Sequence, residues 1–235
     1  VGTDRFDLEA IERRGIDFDY TPEAVTEATA DLAFALLLGV ARRIPEADAW
    51  VRSGQWGIDA PPLVGTDLFG KTMGIIGFGR VGQAIARRAA GFSMSVIYHQ
   101  RTPLDAQQQE QCGATWHGLA DLLKQADFVM VQTPLTASTR HLIGAEQLAL
   151  MKSSAILVNA ARGGVVDDIA LAAALSDGRI AGAGLDVVEN EPQIAPQLLA
   201  CPNLVVAPHI GSATQETRTR MVMEAVVNLK RMLSS

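Results

Sequence analysis

Met73-Gly-Ile-Ile-Gly-Phe-Gly-Arg-Val-Gly82 decides the fold. Met73, Ile75 and Ile76 read as a buried strand, and Val81, Ala84, Ile85 and Ala89 recur at helical spacing, so a strand runs through a G-x-G-x-x-G turn into an amphipathic helix. Gly77 permits the tight turn, Gly79 lets the backbone approach a diphosphate, and Gly82 lets helix and strand pack closely. Free N–H groups at the helix start, here from Arg80 and Val81 onward, then meet an anion along the helix dipole. A glycine turn alone is weak evidence for a nucleotide; the strand before it and the helix after it make the reading specific.

Outward from that turn the same alternation continues. Strands are expected over 73–77, 94–98, 127–131, 154–158, 181–185 and 204–207, with helices near 80–91, 118–124, 145–150 and 167–176. Strand and helix in turn predict an α/β protein with a Rossmann-type doubly wound parallel sheet. Upstream, residues 57–70, with Pro61 and Pro62, read as an irregular linker. Residues 24–54 read as helical, with Pro45 at a kink or break. That helix is apolar almost all round, and small residues at Ala33, Ala35 and Gly39 favour a subunit interface over an internal core helix. A short helix over 8–14, closed by Gly15, and a brief strand over 16–19 look like the tail of a βαβ unit without its first strand, so the sequence is expected to start inside a domain. Ser212-Ala-Thr-Gln215 reads as a capping box opening the last helix, which runs to about Leu233.

Composition removes several function classes. The 235 residues exceed a modal domain of about 150, and 48% apolar content is ample for a core. A formal charge of −6 with scattered basic residues argues against nucleic acid or an anionic membrane as partner. The longest apolar run, Leu32 to Ala41, falls short of the roughly 20 residues a spanning helix needs. No basic, cleavable apolar leader appears at Val1, and Cys112 and Cys201 stand alone, so the chain reads as cytoplasmic, with neither a disulfide framework nor a thiol metal site. His117 and His141 lack partners at ligand spacing, and no metal is expected.

Several ordered motifs then carry a family resemblance: Thr29-Ala-Asp31-Leu-Ala, the turn at 77–82, Gln132-Thr-Pro-Leu135, Asn159-Ala-Ala-Arg-Gly-Gly164, Gly184-Leu-Asp-Val187 followed by Glu191-Pro192, and Pro208-His-Ile-Gly-Ser-Ala213. Together they resemble the D-2-hydroxyacid dehydrogenases, from Val1-Gly-Thr-Asp4 to the last helix and without the first strands of that family. The resemblance implies a nicotinamide cofactor, a small-molecule 2-oxo acid substrate of the glyoxylate, hydroxypyruvate or 2-ketogluconate type, and a homodimer. It divides the chain into a remnant of a flavodoxin-like substrate domain (1–23), a long interface or hinge helix (24–56), the dinucleotide-binding domain (57–207) and a final helix returning to the substrate domain (208–235). It maps the family's catalytic arginine, glutamate and histidine onto Arg162, Glu191 and His209. It also brings Ala160, Ala161 and Gly211 to the cofactor.

Chemistry independently asks for those residue types. Reduction of a 2-oxo acid needs a cation for carboxylate and carbonyl, and Arg162 follows an apolar strand at the edge where α/β sheets bind ligands. It also needs an acid for the oxygen, which the imidazole of His209 suits, and Glu191 could hydrogen-bond its far nitrogen, fix the tautomer and favour imidazolium. Asp186, at a strand end, either orients the nicotinamide carboxamide or ribose or forms the strand-end turn. Thr133 and Pro134 border the expected nucleotide path. About 20 residues past the glycine turn an NAD site offers a carboxylate, but here stand His99, Gln100, Arg101 and Thr102. Arg101, helped by Gln100 and Thr102, could pair a 2′-phosphate, so NADP(H) is the expected cofactor, with NAD(H) the second choice. The competing class is a corepressor-like interaction protein that senses NAD(P) without turnover.

Overall fold

The computed structural model describes residues 2, 6–57 and 63–234. Val1, Thr3 and Asp4 of the first motif, and Pro61 and Pro62 of the expected linker, lie outside the described residues. In chain order the elements are α1 (Leu8–Arg13), α2 (Thr26–Ala41), α3 (Ile44–Arg52), β1 (Thr72–Ile76), α4 (Arg80–Gly91) and β2 (Ser95–His99), then α5 (Ala106–Cys112), β3 (Ala114–Trp116), α6 (Leu119–Gln125), β4 (Phe128–Val131), α7 (Ala145–Leu150) and β5 (Ile156–Asn159). They close with α8 (Asp168–Ser176), β6 (Gly182–Leu185), α9 (Pro196–Leu199), β7 (Leu204–Val206) and α10 (Gln215–Leu233).

The seven strands form one parallel sheet in the order β3-β2-β1-β4-β5-β6-β7. Successive strand residues point to opposite faces, and the two cores divide accordingly. Met73, Ile75, Tyr98, Phe128, Met130 and Val158 face α2 and α4. Ile76, Ile97, Val129, Val131, Leu157 and Leu185 face α6, α7 and α8. With both faces covered, the strands are continuously apolar, which is why they are legible as short hydrophobic runs. The order reverses between β1 and β4, and a crevice opens there beyond the carboxyl ends of the strands.

One local expectation is refined and three need correction. The break expected at Pro45 falls two residues earlier, at Arg43, whose φ of 52° leaves the helical region, and Pro45 lies inside the first turn of α3 where its missing N–H costs nothing. In this chain α2 is a core helix. It packs on α4 and across β5, β6 and β7, so closely that a β-carbon at Gly182 would lie 2.6 Å from Val40 Cγ1. Gly182 and Gly184 of β6 thus let the sheet come close to Val40 and Leu36 of the helix. Residues 16–19 pair with no strand among the described residues; the segment instead docks on α10, where Asn228 Nδ2 donates to Tyr20 O and Arg231 pairs with Asp19. Finally, α10 is capped by Thr214, whose hydroxyl accepts from Thr217 N at 3.1 Å, and not by Ser212. The helix α5 and strand β3 go beyond the expected elements: α5 is polar and held by an Asp105–Gln108 capping box, and β3 is a three-residue edge strand.

Candidate active site

The switch-point crevice is a cleft of about 610 Å³ lined from the ends of five strands. The glycine turn forms its floor. Gly77 has φ +94°, and a β-carbon there would sit 2.5 Å from Gln132 O; one at Gly82 would sit 2.4 Å from Gly77 O. A β-carbon at Gly79, in contrast, would meet nothing within 4 Å. Turn and helix are pressed together while the side toward the cleft stays open, and the first turn of α4 carries no side-chain cap. Uncapped N–H groups facing open space fit a diphosphate. Arg80, Val81 and Gly82 line the cleft, as do Thr133 and Pro134 beyond β4.

Beyond β5, the buried Asn159 shapes the next wall. Its Nδ2 donates to Arg162 O at 3.0 Å, and its Oδ1 accepts from Ala161 N at 3.1 Å. This closed turn delivers Ala160, Ala161 and Arg162 to the cleft, with Arg162 Nη1 donating to Ala161 O at 2.7 Å. Beyond β6, Asp186 is 2% exposed. Its Oδ1 accepts from Ile210 N at 2.7 Å, its Oδ2 from Gly211 N at 2.8 Å, and its carbonyl from His209 N at 2.9 Å. Burial pushes the Asp186 carboxyl up from its ordinary range, against the pull of those two amides. The strand-end turn reading therefore describes Asp186 directly, since it ties down the loop that carries His209, and its side chain still lines the cleft.

His209 itself has φ 55°, a left-handed conformation that costs about 1–3 kcal/mol for a residue with a β-carbon and persists only where surroundings dictate it. Its Nδ1 lies 2.7 Å from Glu191 Oε2, and Glu191 Oε1 accepts from Val188 N at 3.3 Å. With Nδ1–H donating to the carboxylate, Nε2 is the ring nitrogen left without a protein partner among the described residues. His209 and Gly211 line the cleft; Glu191 stands behind His209 and does not. His99, Gln100, Arg101 and Thr102 also lie outside the lining. The register sets His99 beside Ile76, so this loop begins next to the glycine turn. Gln100 Nε2 is used on Thr102 O, and the exposed Arg101 guanidinium has no partner among the described residues.

Sequence reasoning did not single out Thr26 and Thr29 at the start of α2, or Gln132, all of which line the cleft. Thr29 and Gln132 stood inside family motifs, which was the available signal; Thr26 and Gln132 carry polar atoms that are buried without a partner among the described residues, a property invisible in sequence. A second hollow, about 370 Å³, opens at the opposite sheet edge, where its charged side chains Arg43 and Glu46 pair with each other. Among the described residues no cluster could hold a metal ion, and no helix is long and apolar enough to cross a membrane.

A parallel sheet with this glycine turn at its switch point defines the class of dinucleotide-binding Rossmann domains. Residues 34–211 match the family described as D-isomer specific 2-hydroxyacid dehydrogenase, NAD binding domain. The glyoxylate reductase of Thermococcus litoralis is 52% identical over 234 residues, covering 97% of this chain and 70% of the relative. Two solved structures extend the comparison. The NADPH-dependent glyoxylate/hydroxypyruvate reductase of Sinorhizobium meliloti, in complex with NADP and malonate, has a TM-score of 0.92 and 42% identity, covering 100% of this chain and 73% of that one. The D-lactate dehydrogenase of Aquifex aeolicus, complexed with NAD and lactic acid, has a TM-score of 0.89 and 28% identity, covering 99% and 74%. The chain belongs to the D-isomer-specific 2-hydroxyacid dehydrogenase family and is an NAD(P)-dependent 2-hydroxyacid oxidoreductase.

Proposed function

We propose that the protein reduces small 2-oxo acids of the glyoxylate, hydroxypyruvate or 2-ketogluconate type and prefers NADPH to NADH. The observation that carries this reading is the convergence of Arg162 and the Glu191–His209 pair on the cleft that begins at the α4 N-terminus. The first turn of α4 would hold the diphosphate, and Thr133, Pro134, Ala160, Ala161 and Asp186 would border the nicotinamide half. When bound, the reduced nicotinamide supplies the hydride. Arg162 holds the substrate carboxylate and polarises the adjacent carbonyl. His209, protonated on both ring nitrogens, gives its Nε2 proton to the carbonyl oxygen and is left as the Nδ1–H tautomer; Glu191, accepting from Nδ1–H throughout, orients the ring and stabilises the imidazolium. Arg101, exposed and without a partner among the described residues, supports the preference for a 2′-phosphate, as does the absence of a carboxylate among residues 99–102. The T. litoralis relative's name favours glyoxylate, and the S. meliloti enzyme's name favours glyoxylate or hydroxypyruvate with NADPH.

The domain division is part of this reading. The docking of residues 19–20 on α10 supports assigning 1–23 and 208–235 to one unit apart from the sheet. Exposed Trp56, Val64 and Phe69 support a homodimer formed through the segment that follows α3. Consumption of NADPH and of NADH should be followed optically with glyoxylate, hydroxypyruvate and 2-ketogluconate. Turnover that favours NADPH on at least one of them supports the proposal. Tight cofactor binding with no consumption of any 2-oxo acid would instead support the corepressor-like alternative.

A further inference from the structure

One side chain that none of the chemistry uses ties the loop beyond β6, which carries Glu191, to the loop beyond β4. Glu189 follows β6 and lies two residues before Glu191. Its carboxylate accepts from Arg140 Nη2 and, at 3.0 Å, pairs with His141 Nε2, both on the loop between β4 and α7. Its own N–H donates to Oδ2 of the buried Asp168, at the start of α8, at 2.9 Å. The side chain is only 16% exposed although it bears a charge, so its partners must hold it there.

The surrounding backbone shares the constraint. His141 N donates to Gly164 O at 2.7 Å, which couples the Arg140–His141 loop to the turn that carries Arg162. His141, like His209, stands at positive φ, 51°, so its ring is directed by tertiary contacts and not by local preference. Gly163 presses on the same segment from below: a β-carbon there would lie 1.8 Å from Val188 O. Val188 N in turn donates to Glu191 Oε1. A continuous path thus runs from Arg162 through Gly163 and Val188 to Glu191, and Glu189 clamps it to the loop beyond β4.

We propose that Glu189, gripped by Arg140 and His141, is a positioning residue that sets the spacing between Arg162 and the Glu191–His209 pair. This rests on the roles proposed above for those three residues. Without the clamp, the 188–191 segment can shift relative to the Arg162 turn, and displacements of about 1 Å in reacting groups cost up to roughly 10²-fold in rate. The cofactor cleft does not include Glu189, Arg140 or His141, so binding of NADPH should not change.

The test uses Glu189→Ala, Glu189→Gln and Arg140→Met in the full chain. For Glu189→Ala, kcat for 2-oxo acid reduction should fall about tenfold while KM and the NADPH dissociation constant stay within about twofold. Glu189→Gln, which keeps an acceptor for Arg140, should recover most of the loss. Arg140→Met alters only an exposed partner and keeps the reading falsifiable should the alanine variant fail to fold; it should lower kcat by roughly threefold. Ring-nitrogen NMR of His209 gives a readout independent of turnover. Wild type should give one set of His209 ring-nitrogen signals, and Glu189→Ala a displaced set that reports the altered surroundings of the pair. If the wild-type protein consumes no 2-oxo acid, the proposed function fails while the NMR comparison still tests the clamp. Unchanged kcat together with superimposable His209 ring signals in Glu189→Ala would overturn the inference, as would a loss of kcat and of NADPH affinity in equal measure that Glu189→Gln does not rescue.

Discussion

Asp127 and Asp186 stand at opposite ends of the same parallel sheet and are held in opposite ways. Asp127, just before β4, is partly buried, yet its carboxyl lies below the ordinary range: burial works to raise it, but the hydrogen bonds from Lys152 Nζ at 2.8 Å and Thr72 N at 2.9 Å, with the charges of Lys152 and Lys71, prevail. Asp186, just after β6, has only backbone amides, and burial keeps its carboxyl raised. One end of the sheet pairs its charge with a cation and gains stability. The other leaves charge underpaired and uses it to order the loop that carries His209. Residues at the amino ends of parallel strands serve the fold, and those at the carboxyl ends serve the site.

Several measurements would break or sharpen that contrast. The largest effect belongs to His209→Ala, which should lower kcat by about 10²-fold or more while leaving the NADPH dissociation constant near its wild-type value; steady-state kinetics and a binding titration decide it. If the carboxyl edge serves only the fold, turnover will persist. Arg101→Asp comes next. Loss of one charge-assisted contact to a 2′-phosphate should shift the ratio of kcat/KM for NADPH over NADH by about tenfold toward NADH, and an unchanged ratio would remove Arg101 from cofactor choice. At the amino edge, Asp127→Asn should leave kinetics intact and cost about 1–3 kcal/mol at neutral pH, read from denaturant midpoints.

The smallest effect is in the pH dependence of those midpoints. A carboxyl lowered in the folded state stabilises above its unfolded pKa, and that contribution is lost as pH falls through the folded value, so the deficit of Asp127→Asn should shrink in acid. A carboxyl raised in the folded state contributes below its unfolded pKa and loses that contribution as pH rises through the folded value. Asp186→Asn should therefore improve relative to wild type as pH rises through the mildly acidic range. Parallel slopes for the two variants would contradict the comparison.

Strands buried on both faces announce themselves as apolar runs, so six of the seven strands were legible to within two residues, and the glycine turn located the switch point. What sequence could not carry was contact between distant polar groups. The short polar α5 and the edge strand β3 lack an apolar period, and Pro45 marked the break between α2 and α3 only to within two residues of Arg43. The pairing of Glu191 with His209, 18 residues away, could be expected only from the family resemblance and the chemistry, not from spacing. The clamp of Glu189 by Arg140 and His141 spans 49 and 48 residues of sequence, and His141 alone looked like an idle histidine.

A double-mutant cycle on Glu191 and His209 tests the central claim most directly, because groups that act as one unit do not contribute independently. Glu191→Gln, His209→Ala and the double variant should be compared in kcat for 2-oxo acid reduction. The account predicts that the double variant falls no more than about twofold below His209→Ala alone. Losses that multiply would show the two side chains acting separately and contradict it.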